Sequence, residues 1–145
     1  MNNEYFKQIE HCEDATQIEL SSVVANLNFD ARGLVPVVTQ DADSKEVLML
    51  AWMNEAALFK TLSSGMVTYW SRSRNELWEK GLTSGHTQEL VSLSIDCDGD
   101  ALLCMVNQKG AACHTYRRSC FYLKVDGKAQ TVNVVGSHGV TTDEI

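Results

Sequence analysis

Apolar residues along this chain fall mostly into short runs with strand-like spacing, and one stretch carries them at helical spacing. Val35, Val37 and Val38 surround the only proline, Pro36, which predicts an edge strand because proline cannot donate to a ladder. Residues 41–44 read as a turn, and residues 47–52 as a buried strand. Ala56, Leu58, Phe59 and Leu62 then share one helical face. Asn54 is placed as the N-cap, Glu55 in the first turn and Gly65 at a left-handed C-terminal cap. Strands are predicted over 66–70, 90–95 and 101–106, the last two joined across Asp98-Gly99, and a closing hairpin over 121–125 and 130–135. Residues 71–86 are polar with weak regular structure. The pattern is that of a mostly β (α+β) chain with one clear helix. Its expected organisation is a loosely attached polar extension over 1–20, one domain over 21–135 and a tail over 136–145.

Composition narrows the function classes. A length of 145 residues fits one domain, and 44% hydrophobic residues can build a core. There is no apolar run of about 18 residues, hence no predicted membrane helix. The start, Met1-Asn2-Asn3-Glu4-Tyr5, lacks the pattern of a secretory signal, so a cytoplasmic location is expected. A net charge of −7 is the wrong sign for gripping a nucleic-acid backbone. A small anionic ligand remains compatible, because local Lys and Arg can outvote net charge at one pocket.

Five cysteines, an odd number, argue against a disulfide framework. Cys97, Cys104, Cys113 and Cys120 cluster beside the only Cys-His pair, which suits metal or catalysis, although free cysteine is also a common core residue. Cys104 sits in an apolar run and reads as core; Cys12 reads as incidental. Cys97, Cys113 and Cys120 as thiolates would leave a fourth zinc position for water, the open arrangement of a catalytic site. His114 is then the adjacent proton acceptor, or else a structural histidine or a fourth ligand. Asp96, Asp98 and Asp100 would share one face of a continuing strand and suit a hard cation such as Mg²⁺; the plainer reading is a solvated turn. Residues 78–85 combine Lys80, Thr83, Ser84 and two glycines, a weak anion-binding pattern. Arg117-Arg118 either bind anions or balance nearby carboxylates and thiolates.

Taken in order, these pieces resemble the phosphoribosyl-AMP cyclohydrolase family. The resemblance is carried by Phe29-Asp30 through Leu34-Val35-Pro36, by Leu50-Ala51-Trp52-Met53-Asn54, and by Trp78-Glu79-Lys80-Gly81-Leu82-Thr83-Ser84-Gly85. It continues through Asp96-Cys97-Asp98-Gly99-Asp100, Cys113-His114-Thr115 and Arg117-Arg118-Ser119-Cys120. It implies zinc on Cys97, Cys113 and Cys120, Mg²⁺ on Asp96, Asp98 and Asp100, and His114 as the catalytic proton carrier. Lys80, Ser84 and Arg117 become the candidate phosphate contacts. A small, barrel-like subunit in an intertwined homodimer, with zinc ligands from both subunits, is the implied architecture. The implied reaction belongs to histidine biosynthesis: zinc-activated water opens the adenine ring of phosphoribosyl-AMP between nitrogen 1 and carbon 6. The pyrophosphohydrolase domain sometimes fused after this one is expected to lie elsewhere. Tyr116 stands where the family commonly has glycine, and Cys104 where it commonly has an aliphatic residue. Two rivals are a closed structural zinc module and a nucleotide deaminase. The deaminase is disfavoured by the lack of a His-x-Glu followed by Pro-Cys-x-x-Cys.

Overall fold

The computed structural model describes residues 4–139. Its elements are α1 (Glu4–Ile9), α2 (Leu20–Ala25), β1 (Val35–Asp41), β2 (Val47–Met53), α3 (Glu55–Ser64), β3 (Thr68–Ser71), β4 (Glu76–Glu79), β5 (Gln88–Ile95), β6 (Leu102–Gln108), β7 (Leu123–Asp126) and β8 (Thr131–Val134). The main sheet has the order β2-β1-β6-β5, with β1 and β6 parallel at its centre and antiparallel neighbours on either side. Two separate two-stranded sheets, β3-β4 and β7-β8, complete the mostly β architecture, and no sheet closes into a barrel.

Pro36 lies in an interior strand, not at the expected edge. The parallel ladder to β6 starts only at Val37, opposite Leu102, so the missing N–H falls just ahead of it. Proline is tolerated at the beginning of a strand for that reason. Strand β1 buries alternate residues (Val35, Val37, Thr39, Asp41) against the core.

Helix α3 keeps its expected caps, but the face it buries is Ala57, Leu58 and Thr61, while Ala56 and Phe59 of the expected apolar face are exposed, because the sheet lies on the side where the small residues allow close approach. Asn54 Oδ1 accepts from Ala57 N at 2.8 Å, and Gly65 takes φ 77°, the left-handed cap that lets its N–H reach Thr61 O. Residues 71–86 hold more structure than their polarity suggests. Strand β4 folds back on β3, with Trp78 opposite Tyr69 and Trp70 opposite Leu77. The turn between them takes a left-handed residue at Asn75, φ 57°, which asparagine tolerates better than most residues.

Within the expected polar extension, residues 4–9 form a helix that docks on the core. Helix α1 seats Phe6, 6% exposed, in the hydrophobic core, and Tyr5 Oη lies 2.9 Å from Ser22 Oγ of α2. Phe6 covers Gly99 in the β5–β6 turn so closely that a Cβ there would stand 2.1 Å from its ring. Six residues are too few to show a periodicity, yet Phe6, with Tyr5 and Ile9 packed beside it, decides where this helix docks. The expected tail over 136–145 lies outside the described residues from 140 onward.

Phe6→Ala removes a buried ring from above the β5–β6 turn, a change that costs about 3–5 kcal/mol in a close-packed site. A urea titration of the variant should show a loss of that order. An unchanged midpoint would mean that α1 contributes nothing to the folded state.

Candidate active site

Chemistry-bearing side chains gather on the loop after β6. Its backbone is tied across itself, Ala112 N to Arg118 O at 3.0 Å and Cys113 N to Arg117 O at 3.1 Å. It is also tied to the sheet, Cys120 N to Leu48 O at 2.7 Å and Ser119 Oγ to Val47 O at 2.7 Å. Arg118 reaches back to the β1–β2 turn and donates to Asp41 Oδ1 at 2.9 Å, with Glu46 at 3.5 Å. Asp41 itself shapes that turn, its Oδ2 accepting from Ser44 N at 2.8 Å and Asp43 N at 3.1 Å. One buried carboxylate thus fixes both the hairpin turn and the reactive loop. Burial alone would raise the Asp41 carboxyl, but hydrogen bonds from Ser44 and the Arg118 guanidinium outweigh it and hold the group below its ordinary value.

The loop closure brings the Cys113 and Cys120 thiols close enough for each to shift the other's ionisation. Burial works against a thiolate at Cys113. Thr115, whose Oγ1 donates to Sγ at 3.0 Å, then Cys120 and Arg117 overcome it and lower the thiol's pKa. Cys120 moves the other way. Burial, followed by the neighbouring Cys113, pushes its thiol up to about 11 while Lys80 opposes the rise. Lys80 Nζ, close to both sulfurs, donates to Ala112 O at 2.5 Å. Its pKa is lowered by burial against the pull of the two cysteines.

Cys97 does not join this pair. It is exposed in the β5–β6 turn, whereas Cys113 follows the opposite end of β6, about 20 Å away along seven residues of strand. Among the described residues no three His, Cys, Asp or Glu side chains are disposed to hold a metal. Asp96, Asp98 and Asp100 sit in that same turn and not on a continuing strand. Asp96 Oδ1 accepts from Asp100 N at 3.0 Å and Ala101 N at 3.2 Å. The Asp100 carboxyl is pushed up, first by its hydrogen bond with Asp96, then by burial and by the like charges of Asp96 and Asp98. Asn28 braces the turn through Asp98 O and Gly99 O, each at 2.8 Å.

His114 is exposed on the reactive loop and lines an open groove of about 850 Å³ beside β2. All three tryptophans of the chain, Trp52, Trp70 and Trp78, wall this groove together with Arg32, Arg72 and Arg74. Lys80 and Ser84 line an adjoining hollow of about 330 Å³ that shares Arg74 and Trp78 with it. Asp100 lines a third, of about 490 Å³, on which Trp52 also borders. Arg117 is committed elsewhere: Nε donates to Val135 O at 2.9 Å, Nη2 to Gly136 O at 3.3 Å, and the guanidinium lies 4.0 Å from the Tyr122 ring centroid. It ties the β7–β8 hairpin to the loop. Tyr116 occupies its position at φ 69°, the left-handed conformation that glycine adopts freely. Its N–H bonds to Cys113 O at 3.0 Å and its ring meets His86 edge-on at 5.6 Å. Asp41, Arg32, Arg72, Trp52 and Trp70 escaped the sequence reading as site residues. Only the excess of arginine and tryptophan around residues 70–78 pointed to them.

What these elements define is a small α+β enzyme, its reactive loop opening on a groove suited to a ring-bearing anion. Comparison with known proteins gives that class a family. Residues 49–122 match the family model described as phosphoribosyl-AMP cyclohydrolase. Three relatives carry the same name. One from Alkalilimnicola ehrlichii is 54% identical over 84% of this chain and 86% of its own length. One from Rhodospirillum centenum is 53% identical over 90% of this chain and 96% of its own. One from Cereibacter sphaeroides is 59% identical over 74% and 91% respectively. The chain belongs to the phosphoribosyl-AMP cyclohydrolase family.

Asp41→Asn should cost about 2–3 kcal/mol near neutral pH, the range for a hydrogen bond to a charged group. Because the folded carboxyl titrates below its unfolded value, its contribution is complete above about pH 4 and is lost as pH falls through the folded pKa. Stability measured against pH should therefore show the gap between wild type and variant narrowing below about pH 4. A gap independent of pH would mean that the ion pair is not its source.

Proposed function

We infer that this chain opens the adenine ring of phosphoribosyl-AMP by hydrolysis, as a step of histidine biosynthesis. The observation that carries the reading is the closed loop that brings Cys113 and Cys120 near one another and also carries His114, within the segment that matches the family model. Two sulfurs, one of them favoured as thiolate by Thr115, fit two positions of a zinc site by donor chemistry. Cys97 of a second copy is the third ligand in this reading, because its own chain holds it at the far end of β6. A homodimer is therefore part of the proposed enzyme. Asp96, Asp98 and Asp100, gathered in one turn, offer the oxygen ligands that Mg²⁺ prefers.

When bound, zinc supplies a Lewis acid that lowers the pKa of coordinated water towards neutrality. The chain's own residues account for the remaining steps. His114, at the edge of the groove, takes the proton from water as its oxygen bonds to carbon 6. The bond from carbon 6 to nitrogen 1 breaks, and the same imidazole returns the proton to that nitrogen. Lys80 holds the loop through Ala112 O and places a positive charge beside the thiols. In this reading it serves the metal loop more directly than a phosphate. Ser84 lines the neighbouring hollow, and Arg117 serves the reaction by fixing the loop's backbone.

Ring opening followed by ultraviolet absorbance should vanish when zinc is stripped and return when it is restored. A folded, zinc-loaded sample without turnover would overturn the reading in favour of a structural zinc module. His114→Ala should lose turnover and keep zinc; loss of zinc as well would make His114 a ligand. Cys97→Ala and Cys113→Ala should each be inactive alone. Mixed and reassembled, they should recover about a quarter of wild-type activity, since half of the dimers are mixed and each restores one of two sites. No recovery would remove the shared site.

A further inference from the structure

The groove beside His114 holds charge that the fold does not use. Of five arginines, Arg117 is spent on backbone carbonyls and Arg118 on Asp41 and Glu46. Arg74 lies 3.7 Å from Glu76. Arg32 and Arg72, by contrast, have no carboxylate within ion-pair distance among the described residues, although acidic side chains outnumber basic ones by 19 to 12. Both line the groove, one from the loop ahead of β1 and the other from the β3–β4 turn. The guanidinium carbon of Arg72 stands over Trp52, 4.6 Å from the ring centroid. That contact costs the guanidinium few of its donors, which remain directed to whatever enters. The groove's volume of about 850 Å³ is in the range of small-molecule sites.

We propose that Arg32 and Arg72 are the phosphate-binding residues of the substrate groove, with Trp52 as the platform that holds Arg72 in place and the other tryptophan walls facing the nucleotide base. The inference rests on the cyclohydrolase reading for the identity of the ligand, and it differs from that reading's sequence-based choice of Lys80, Ser84 and Arg117. A planar guanidinium takes a phosphate by two parallel N–H···O bonds, which a lysine ammonium cannot match in geometry. Indole faces bind bases or cations with little loss of side-chain entropy. His114 lines the same groove, so a phosphate held at Arg32 and Arg72 keeps the nucleotide within the space that the imidazole borders. Two phosphates are implied by the name phosphoribosyl-AMP. The adjoining hollow, reached past Trp78, leaves room for the second arm.

Because every tryptophan of the chain lines this groove, the protein's whole indole fluorescence reports on it. AMP should quench that emission, and adenosine should do so more weakly. Arg72→Gln and Arg32→Gln should each weaken AMP binding by about tenfold or more while leaving adenosine binding unchanged, as expected for a lost charge-assisted hydrogen bond. Arg72→Lys should fall between Arg72→Gln and wild type. In turnover assays the same variants should raise KM with a smaller change in kcat. Equal AMP affinity in wild type and both glutamine variants, with circular dichroism showing all three folded, would overturn the proposal even if the wild type is an active cyclohydrolase. Arg-dependent AMP binding in a protein without turnover would keep the phosphate site and sink the reaction. A variant that dissociates the protein on sedimentation and leaves AMP binding intact would assign the groove to an interface between copies, again overturning the proposal.

Discussion

The ion pair between Arg118 and Asp41 is the constraint from which the candidate site follows. A loop carrying two cysteines and a histidine has no regular secondary structure to hold it, and backbone bonds alone leave loops mobile. Here the loop is clamped at one residue, Arg118, whose neighbours on the chain point elsewhere. Arg117 goes to the carbonyls of residues 135 and 136, Ser119 to Val47 O, and the backbone of Cys120 to Leu48 O. Four consecutive residues thus face four different partners. Cys113 is brought to Cys120 because Ala112 and Cys113 bond across the loop to Arg118 and Arg117, and residues 118–120 are pinned to the β1–β2 hairpin.

Charge is partitioned by the same logic. The interior arginines neutralise buried acceptors, where an unpaired charge would be costly. Of the groove arginines, Arg74 lies near Glu76, whereas Arg32 and Arg72 are left for solvent or ligand, Arg72 against the ring of Trp52 in place of a carboxylate. Net charge across the chain is −7, but it does not describe the field where it matters. An anion approaching the groove meets guanidinium groups first, and the acidic turn lies beyond Trp52 on its far side.

Legibility from the sequence divided along the range of the interactions. Helix α3 could be read because its caps, Asn54 and Gly65, act within a few residues of themselves. The Asp98-Gly99 hairpin and the closing β7–β8 hairpin are local in the same sense. Pro36 misled because its effect depends on where a parallel partner begins, and β6 arrives more than sixty positions later. Strand β4 was hidden because its residues, Glu76 to Glu79, are half polar and gain their strand conformation from pairing with β3. Phe6 and Asp41 look ordinary in sequence and matter through contacts with Gly99 and Arg118. The metal-ligand candidates were legible only through family resemblance, since their spacing says nothing about which subunit each serves. The groove was almost illegible, because its walls come from four separate segments.

The position of Cys97 makes the single chain an incomplete machine in the proposed reading. Strand β6 keeps the β5–β6 turn and the reactive loop at opposite ends, and no side-chain rotation spans that separation. A zinc site drawing on both can close only between chains. An apolar ribbon surface fits that proposed assembly. Leu123, Val125, Val132 and Val134 of the β7–β8 hairpin are all exposed, from 53% to 79%. A two-stranded ribbon is barely stable alone, and this one is moored chiefly through Arg117 and Tyr122. Burying those side chains against a second copy would stabilise the ribbon and hold steady the arginine that shapes the cysteine loop. In the proposed reading assembly and catalytic geometry would depend on one another: the partner would supply the missing thiolate, and its docking would stiffen the loop that carries the other two.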